Sequence, residues 1–86
     1  MAGYSLVIRR SAAKELEALP LKDRRRVVKR IQRLANEPRP AGCEKLSGEE
    51  KYRLRQGDYR ILYEIFDREL VVTVVKVGNR RDVYRS

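Results

Sequence analysis

The sequence contains no histidine and only one cysteine, Cys43, among its 86 residues. A single cysteine cannot form an intrachain disulfide, which is typical of proteins in a reducing compartment, so we expect a cytoplasmic protein. The lack of histidine excludes a Cys–His nucleophile and disfavours a metal site. We therefore expect no metal and no cofactor, and we interpret Cys43 as a small apolar filler.

Long apolar runs are also missing, and acidic residues are outnumbered by basic ones. No apolar stretch approaches the ~18–20 residues of a membrane-spanning helix, and no signal peptide is visible. Lysine and arginine number 21 against 12 aspartates and glutamates, which gives a formal net charge of +9. This balance predicts attraction to a polyanion, namely RNA, DNA or an acidic protein; the alternative is a basic protein whose charged face is merely solvated. The length fits one small domain spanning residues 1–86.

The first half of the chain has the pattern of a strand followed by two helices. The β-rich segment Tyr4–Arg9 predicts the strand, and Ser11–Leu19 predicts a helix that Pro20 ends. A second helix covers about Lys22–Asn36, with an apolar stripe on one side and cations on the other. Pro38 and Pro40 close this segment, so the two helices make a helical hairpin. Residues 37–49 form a polar loop.

The segment that follows the loop predicts a β-hairpin with arginines on one face. Gly57-Asp58 suits a two-residue turn, because glycine supplies the positive φ that a tight hairpin needs. Arg55 then lies directly opposite Arg60, with Arg53 one diagonal away. Opposed like charges repel, and an anion such as a nucleic-acid phosphate would remove that penalty. With period two, one face holds Tyr52, Leu54, Ile61 and Tyr63, and the other face or its edge holds Lys51, Arg53, Arg55 and Arg60.

A third strand covers about Leu70–Val77, after a turn at Asp67-Arg68-Glu69. It is apolar on both faces, which predicts a central strand, but its register against the hairpin stays open. The order β-α-α-β-β-β predicts an α+β domain in which an antiparallel sheet packs one face on the helical hairpin. The opposite face would be a shallow, positively charged concavity.

Three motifs at this spacing resemble the RelE/ParE family of toxins from bacterial and archaeal toxin–antitoxin pairs. They are Lys45-Leu46-Ser47-Gly48, the hairpin Tyr52–Tyr63, and the ending Val77–Arg85. The resemblance implies the RelE-like α+β fold and a cognate antitoxin with an acidic toxin-binding segment, in a hetero-oligomer. RelE-like members cut messenger RNA in the ribosomal A site, whereas ParE-like members poison DNA gyrase. The ending with Arg80 and Tyr84 resembles the RelE branch.

The resemblance implies a ribosome-dependent mRNA endoribonuclease that blocks translation without a metal. The substrate's own 2′-hydroxyl would attack the adjacent phosphorus, and arginines would stabilise the pentacoordinate state. Tyr84 would transfer protons or stack on a base, and these two roles stay open. Asn79 stands where many relatives have histidine, so a histidine-based mechanism is in doubt. The candidate catalytic residues are Arg53, Arg55, Arg60, Arg80 and Tyr84, and the candidate RNA-binding residues are Lys51, Arg81 and Arg85.

Other interpretations of the same residues stay open. Arg53 and Arg55 can be ordinary solvated residues, and Arg60 can pair with Asp58 or Glu64. The cations of the second helix, residues 22–33, are either solvated or contact ribosomal RNA or an acidic partner. Two alternative functions also remain: a ParE-like gyrase poison, and a nucleic-acid-binding toxin homologue without catalysis.

Overall fold

The computed structural model describes residues 3–46 and 50–79, which form two helices and a five-stranded sheet. The sheet order is β1-β5-β4-β3-β2. The elements are β1 (Ser5–Ile8), α1 (Arg10–Glu17), α2 (Leu21–Arg33), β2 (Glu44–Lys45), β3 (Lys51–Gln56), β4 (Tyr59–Phe66) and β5 (Val71–Asn79). The α+β class and the predicted helices and main strands are therefore confirmed. In this part of the chain, neither helix is long and apolar enough to cross a bilayer.

The sheet differs from the predicted one in two respects. First, β1 pairs with β5 in parallel, so the sheet is mixed and the prediction of a purely antiparallel sheet was wrong. Along the chain, the helical hairpin lies between β1 and the other strands. No local turn therefore sets the direction in which β1 pairs. Second, the predicted loop 37–49 contains the short strand β2, which pairs with β3 at the sheet edge. Two residues are too few to produce an alternating pattern.

The helical hairpin covers one face of the sheet. Ala12 and Leu16 of α1 lie one turn apart, and Val27 and Ile31 of α2 repeat that spacing, so each helix presents an apolar stripe to the strands. Burial of each large apolar side chain stabilises the fold by about 1.5–3 kcal/mol. The core consists of Ala12, Leu16, Val27, Ile31, Leu34, Tyr52, Leu54, Ile61, Tyr63, Ile65, Val72, Val74 and Val77. Cys43 packs against this core as a partly buried side chain, as predicted.

The two helices are joined by an arginine as well as by packing. Arg24 Nη2 donates to the carbonyl oxygens of Glu17 at 3.0 Å and Leu19 at 3.4 Å. These carbonyls lie at and just beyond the end of α1, where helical partners are missing and a cation is favoured. Pro20 then precedes α2, where its fixed φ suits the entry to a helix. The short turn between the helices is thus fixed by the Arg24 hydrogen bonds at the end of α1 and by Pro20 at the start of α2.

A hydrogen-bonded cluster ties the segment after α2 to the β4–β5 turn. Arg39 Nη1 and Nη2 donate to Asp67 Oδ1 and Oδ2 at 3.2 and 2.9 Å. The Tyr4 hydroxyl donates to the same carboxylate at 2.8 Å, and Arg39 lies 5.2 Å from the centroid of the Tyr52 ring. The hydrogen bonds from Arg39 and Tyr4 lower the pKa of Asp67 below its ordinary value.

Candidate nucleic-acid interface

The β3–β4 hairpin has the predicted turn and register. Gly57 has a φ of 60°, which a residue with a side chain adopts only under strain. Gln56 pairs with Tyr59 on either side of the turn, and Arg55 pairs with Arg60. Among the described residues, the hairpin therefore brings together two of the candidate catalytic arginines as direct cross-strand neighbours.

The two faces of the hairpin separate as the sequence predicts. Tyr52 pairs with Tyr63, and Leu54 pairs with Ile61; all four are buried against the helices. The alternate residues point away from the helices, onto what we call the open face. The open face carries Glu44 of β2, Lys51, Arg53 and Arg55 of β3, Arg60, Leu62 and Glu64 of β4, and Thr73, Lys76 and Gly78 of β5.

Arg55, Arg60 and Gly78 form one row across the open face. Arg55 is exposed, whereas Arg60 retains only 5% exposure and is the buried charged residue of the described chain. Arg55 Nε donates to the Gly57 carbonyl at 3.4 Å, which leans the side chain toward the turn. Gly78 contributes no side chain next to Arg60. The row therefore combines two guanidinium groups and a bare backbone position, an arrangement suited to an approaching phosphate.

Arg53 lies on the same face but in the neighbouring row, with a carboxylate partner. Its Nη2 donates to Glu44 Oε2 at 2.9 Å, and its side chain is 19% exposed. Glu44 belongs to the short strand that the sequence did not predict. Arg53 is thus held beside the arginine pair, and its charge is already balanced by a neighbour.

Lys76 is a cation of this face that sequence reasoning missed. It pairs with Leu62, in the same row as Arg53. The β4–β5 register shifts between Leu62 and Tyr63, which leaves Val75 as the extra residue of a bulge. Sequence alone could not place that bulge, although Lys76 is the one charge within an otherwise apolar strand.

Lys51 and Glu64 are opposite each other in the next row, toward the far end of the hairpin. Glu64 Oε1 accepts a hydrogen bond from Arg9 Nη2 at 3.2 Å. This ion pair joins the start of α1 to the open face. The sequence had offered Glu64 as a partner for Arg60, and the structure gives it Arg9.

The remaining candidate residues lie outside the described ranges. Arg80, Arg81, Tyr84 and Arg85 follow the last described residue, Asn79. Ser47 and Gly48 of the first family motif also lie outside those ranges. Their catalytic or RNA-binding roles therefore stay predictions from the sequence.

The outer side of α2 forms a second basic surface. Its single acidic residue, Asp23, is engaged internally, because Asp23 Oδ2 accepts a hydrogen bond from the Tyr59 hydroxyl at 2.9 Å. That hydrogen bond raises the pKa of Tyr59. An open cavity of about 360 Å³ lies on this side, lined by Arg26, Lys29, Arg30, Arg33 and Gln56. We call this cavity the α2 groove. No ion pair within residues 3–46 and 50–79 neutralises its four cations.

The sheet thus has one face that the helices cover and an open face that carries the arginines of β3 and β4. The family model of the ParE toxin of type II toxin–antitoxin systems, parDE, matches residues 6–84. The chain therefore belongs to the RelE/ParE family of toxins, which confirms the resemblance seen in the motifs. A RelE-like toxin protein of Escherichia coli is 30% identical over 86 residues, covering 94% of this chain and 90% of that protein.

Solved structures agree with this membership at the level of the fold. The archaeal RelE–RelB complex from Pyrococcus horikoshii matches with a TM-score of 0.82 and 31% identity, covering 91% of this chain and 96% of that one. The toxin–antitoxin complex RelBE2 from Mycobacterium tuberculosis matches with a TM-score of 0.81 and 28% identity, covering 91% and 99%. The chain is thus a RelE-like toxin of the type II toxin–antitoxin class.

Proposed function

We propose that this toxin is a ribosome-dependent mRNA endoribonuclease that blocks translation. The observation that carries the proposal is the direct cross-strand pairing of Arg55 with Arg60 on the open face. A fold gains no stability from placing two guanidinium groups opposite each other on a sheet. A phosphodiester bound at that row would be contacted by both guanidinium groups at once. Both would then stabilise the negative charge that develops on the phosphate oxygens in the transition state.

The reaction needs no metal if the RNA supplies the nucleophile. The 2′-hydroxyl loses its proton and attacks the adjacent phosphorus, charge grows on the non-bridging oxygens, and the 5′-oxygen leaves with a proton. The products are a 2′,3′-cyclic phosphate and a 5′-hydroxyl end. Arg55 and Arg60 stabilise the pentacoordinate state, and Arg80 joins them from the tail. Arg53, whose Nη2 lies 2.9 Å from Glu44 Oε2, contacts the adjacent stretch of the RNA backbone.

Tyr84 is the candidate for proton transfer in this mechanism, and stacking on a base is its other open role. The other four tyrosines use their hydroxyls within the fold. Tyr4 donates to Asp67, Tyr52 accepts from Arg39, Tyr59 donates to Asp23 and Tyr63 donates to the Pro38 carbonyl. Burial raises the pKa of Tyr63, and the Asp67 and Asp23 hydrogen bonds raise those of Tyr4 and Tyr59, which opposes proton release. Tyr84 has Arg80, Arg81 and Arg85 within four residues in the sequence, and cations brought close to its hydroxyl would favour the phenolate form.

The variants Tyr84→Phe and Tyr84→Ala separate the two roles open to this residue. Phenylalanine keeps a ring that can stack on a base but cannot carry a proton. Acid–base work by Tyr84 predicts that both variants lose cleavage to a similar extent. Cleavage retained by Tyr84→Phe and lost by Tyr84→Ala would assign the ring a stacking role.

The same proposal names two partners in the cytoplasm. The ribosome would present the mRNA, and the α2 groove would contact ribosomal RNA through its unneutralised cations. The second partner is an antitoxin with an acidic toxin-binding segment, which would form a hetero-oligomer with this chain. RelE structures from Pyrococcus horikoshii and Mycobacterium tuberculosis, both solved as toxin–antitoxin complexes, support this partner.

The direct test uses purified chain, an mRNA, and ribosomes programmed with that mRNA. The proposal predicts cleavage of the ribosome-bound mRNA, no cleavage of the naked mRNA, and 5′-hydroxyl ends at the cut. Arg55→Ala with Arg60→Ala in one chain serves as the inactive control, provided that its circular dichroism matches the wild type. Equal cleavage with and without ribosomes, or no cleavage in either case, would overturn the proposal.

A gyrase poison is the second candidate, because the matching family model is that of the ParE toxin. In that case the chain would inhibit supercoiling by purified gyrase and cause double-strand breaks and an SOS response, with translation initially spared. The decisive comparison places the same protein preparation in the gyrase and ribosome assays. Inhibition of gyrase without mRNA cleavage would favour this candidate over the nuclease.

A further inference from the structure

The end of β5 extends beyond the strand that flanks it. β1 pairs only with Val71–Val74, and its last backbone contact is the hydrogen bond from Arg9 N to Val74 O at 3.1 Å. After Val74, no strand within residues 3–46 and 50–79 lies beside the edge of β5 that faces β1. The bulge at Val75 lies at this point, where the ladder with β4 is also interrupted. The backbone N–H and C=O groups on this edge of the final β5 residues therefore require partners other than β1.

Glu15 of α1 supplies one such partner. Its Oε1 accepts a hydrogen bond from the backbone N–H of Val77 at 3.0 Å, in a partly buried setting. The carboxylate takes the position of a neighbouring strand's carbonyl, and a charged acceptor makes a stronger bond than a neutral one. Glu15 and Val77 are 62 residues apart in the chain, so the contact joins the helical layer to the end of the sheet.

The anchored residue adjoins the candidate active site. Val77 pairs with Ile61, and the next residue, Gly78, pairs with Arg60. Asn79 ends the strand, and in sequence it is followed by Arg80 and, further on, Tyr84. The position of the β5 end therefore sets both the backbone beside Arg60 and the point from which the tail continues.

We propose that Glu15 is a positioning residue, which holds the end of β5 so that the backbone of Gly78 lies beside Arg60 of the Arg55–Arg60 pair. This role rests on the proposed nuclease function. It requires the acceptor oxygen at the length of a glutamate side chain, and it does not require the negative charge. Glu15→Gln keeps the acceptor without the charge. Glu15→Asp keeps the charge but withdraws the acceptor, and Glu15→Ala removes both.

The test combines amide hydrogen exchange at Val77 with cleavage kinetics on programmed ribosomes. Loss of a hydrogen bond to a charged group predicts at least about tenfold faster exchange at Val77 in Glu15→Ala and Glu15→Asp. Misplacement of the reacting groups predicts a fall in the rate at saturating ribosomes of about tenfold to hundredfold, with little change in KM. Glu15→Gln, which keeps a neutral acceptor at the same length, should recover most but not all of both quantities.

Glu17→Ala is the matched control, because Glu17 is an exposed glutamate on the same helix. A role confined to global stability would lower the melting temperature and change the rate for all Glu15 variants alike, without rescue by Glu15→Gln. That result, or a rate in Glu15→Ala and Glu15→Asp equal to that of Glu17→Ala, would overturn the positioning role alone. Absence of cleavage by the wild-type chain would overturn the proposed function, and this role with it.

Discussion

Arg55 and Arg60 are direct cross-strand neighbours on the face of the sheet that the helices leave uncovered. One guanidinium is exposed and the other is nearly buried, and the backbone of Gly78 lies beside the buried one. Two like charges in this relation oppose folding slightly and favour an anion. The proposed function therefore predicts that removal of either arginine lowers the cleavage activity, whereas the like-charge opposition predicts that it does not lower the stability.

The first prediction concerns cleavage by variants of the pair. Arg55→Ala and Arg60→Ala should each lower the single-turnover cleavage rate on programmed ribosomes by about 10²–10³-fold, because each removes a cationic donor to the transition state. The double variant should lose less than the product of the two single losses, since residues that act as a unit are not additive. Fully multiplicative losses would mean that the two arginines act at separate places.

The second prediction concerns the stability of the same pair. Arg55→Thr should raise the free energy of unfolding by about 0.2–1 kcal/mol, because it removes a like charge opposite Arg60 and places a β-branched residue in a strand. Urea denaturation measures the change. Arg53→Thr is the matched control on the same strand and face; it breaks the Arg53–Glu44 ion pair at 2.9 Å and should be neutral or destabilising. Destabilisation by Arg55→Thr would show that the pair is not repulsive.

The third prediction concerns acid stability and Asp67. The hydrogen bond from Arg39 is the larger cause, and that from Tyr4 the smaller one, that lowers the folded-state pKa of this carboxylate below its ordinary value of 3.8. A lowered pKa means that the stabilisation is complete above the ordinary value and is lost as the pH falls through the folded-state value. Asp67→Asn should therefore unfold more readily at neutral pH, and its melting temperature should fall less steeply than that of the wild type below about pH 4. Parallel melting curves across this pH range would contradict the assignment.

The fourth prediction concerns the α2 groove. Replacement of Arg26, Lys29 and Arg33 by glutamine should weaken binding to ribosomes and make its dependence on salt shallower. Each lost phosphate contact reduces the slope of log K against log salt by about 0.7–0.9, depending on the RNA. The cleavage rate at saturating ribosomes should stay unchanged, because the groove lies on the helical layer and the arginine pair lies on the open face.

A matched control separates local contact from overall charge. Replacement of three exposed cations elsewhere, Arg10 and Lys14 of α1 and Arg68 of the β4–β5 turn, lowers the net charge by the same amount. Binding curves over a range of salt concentrations measure both sets. Equal effects of the two triple variants would mean that ribosome attraction follows net charge alone and that the groove is not a contact surface.

The parts of the fold that local sequence determines were predicted correctly. The Gly57-Asp58 turn fixes the hairpin register, so the opposition of Arg55 and Arg60 followed from period-two alternation. The apolar stripe predicted for the second helix likewise packs on the sheet, through Val27 and Ile31.

Features set by distant contacts were not predictable in this way. Three features depend on packing between segments that are far apart in the chain. They are the parallel direction of β1, the bulge at Val75 that aligns Lys76, and the hydrogen bond from Val77 N–H to Glu15. The ion pair of Arg53 depends on a strand of only two residues. The sequence thus indicated the arginine pair, but not which neighbouring cations are balanced by carboxylates.

The most direct test of the central claim is the mapping of mRNA 5′ ends in cells that express the chain alone. Wild-type chain should produce new ends within translated regions, at a fixed position relative to the reading frame, and these ends should disappear when translation initiation is blocked. The variant with both Arg55→Ala and Arg60→Ala should produce none of them at the same protein level. Growth arrest by the wild type without frame-dependent ends would contradict the account.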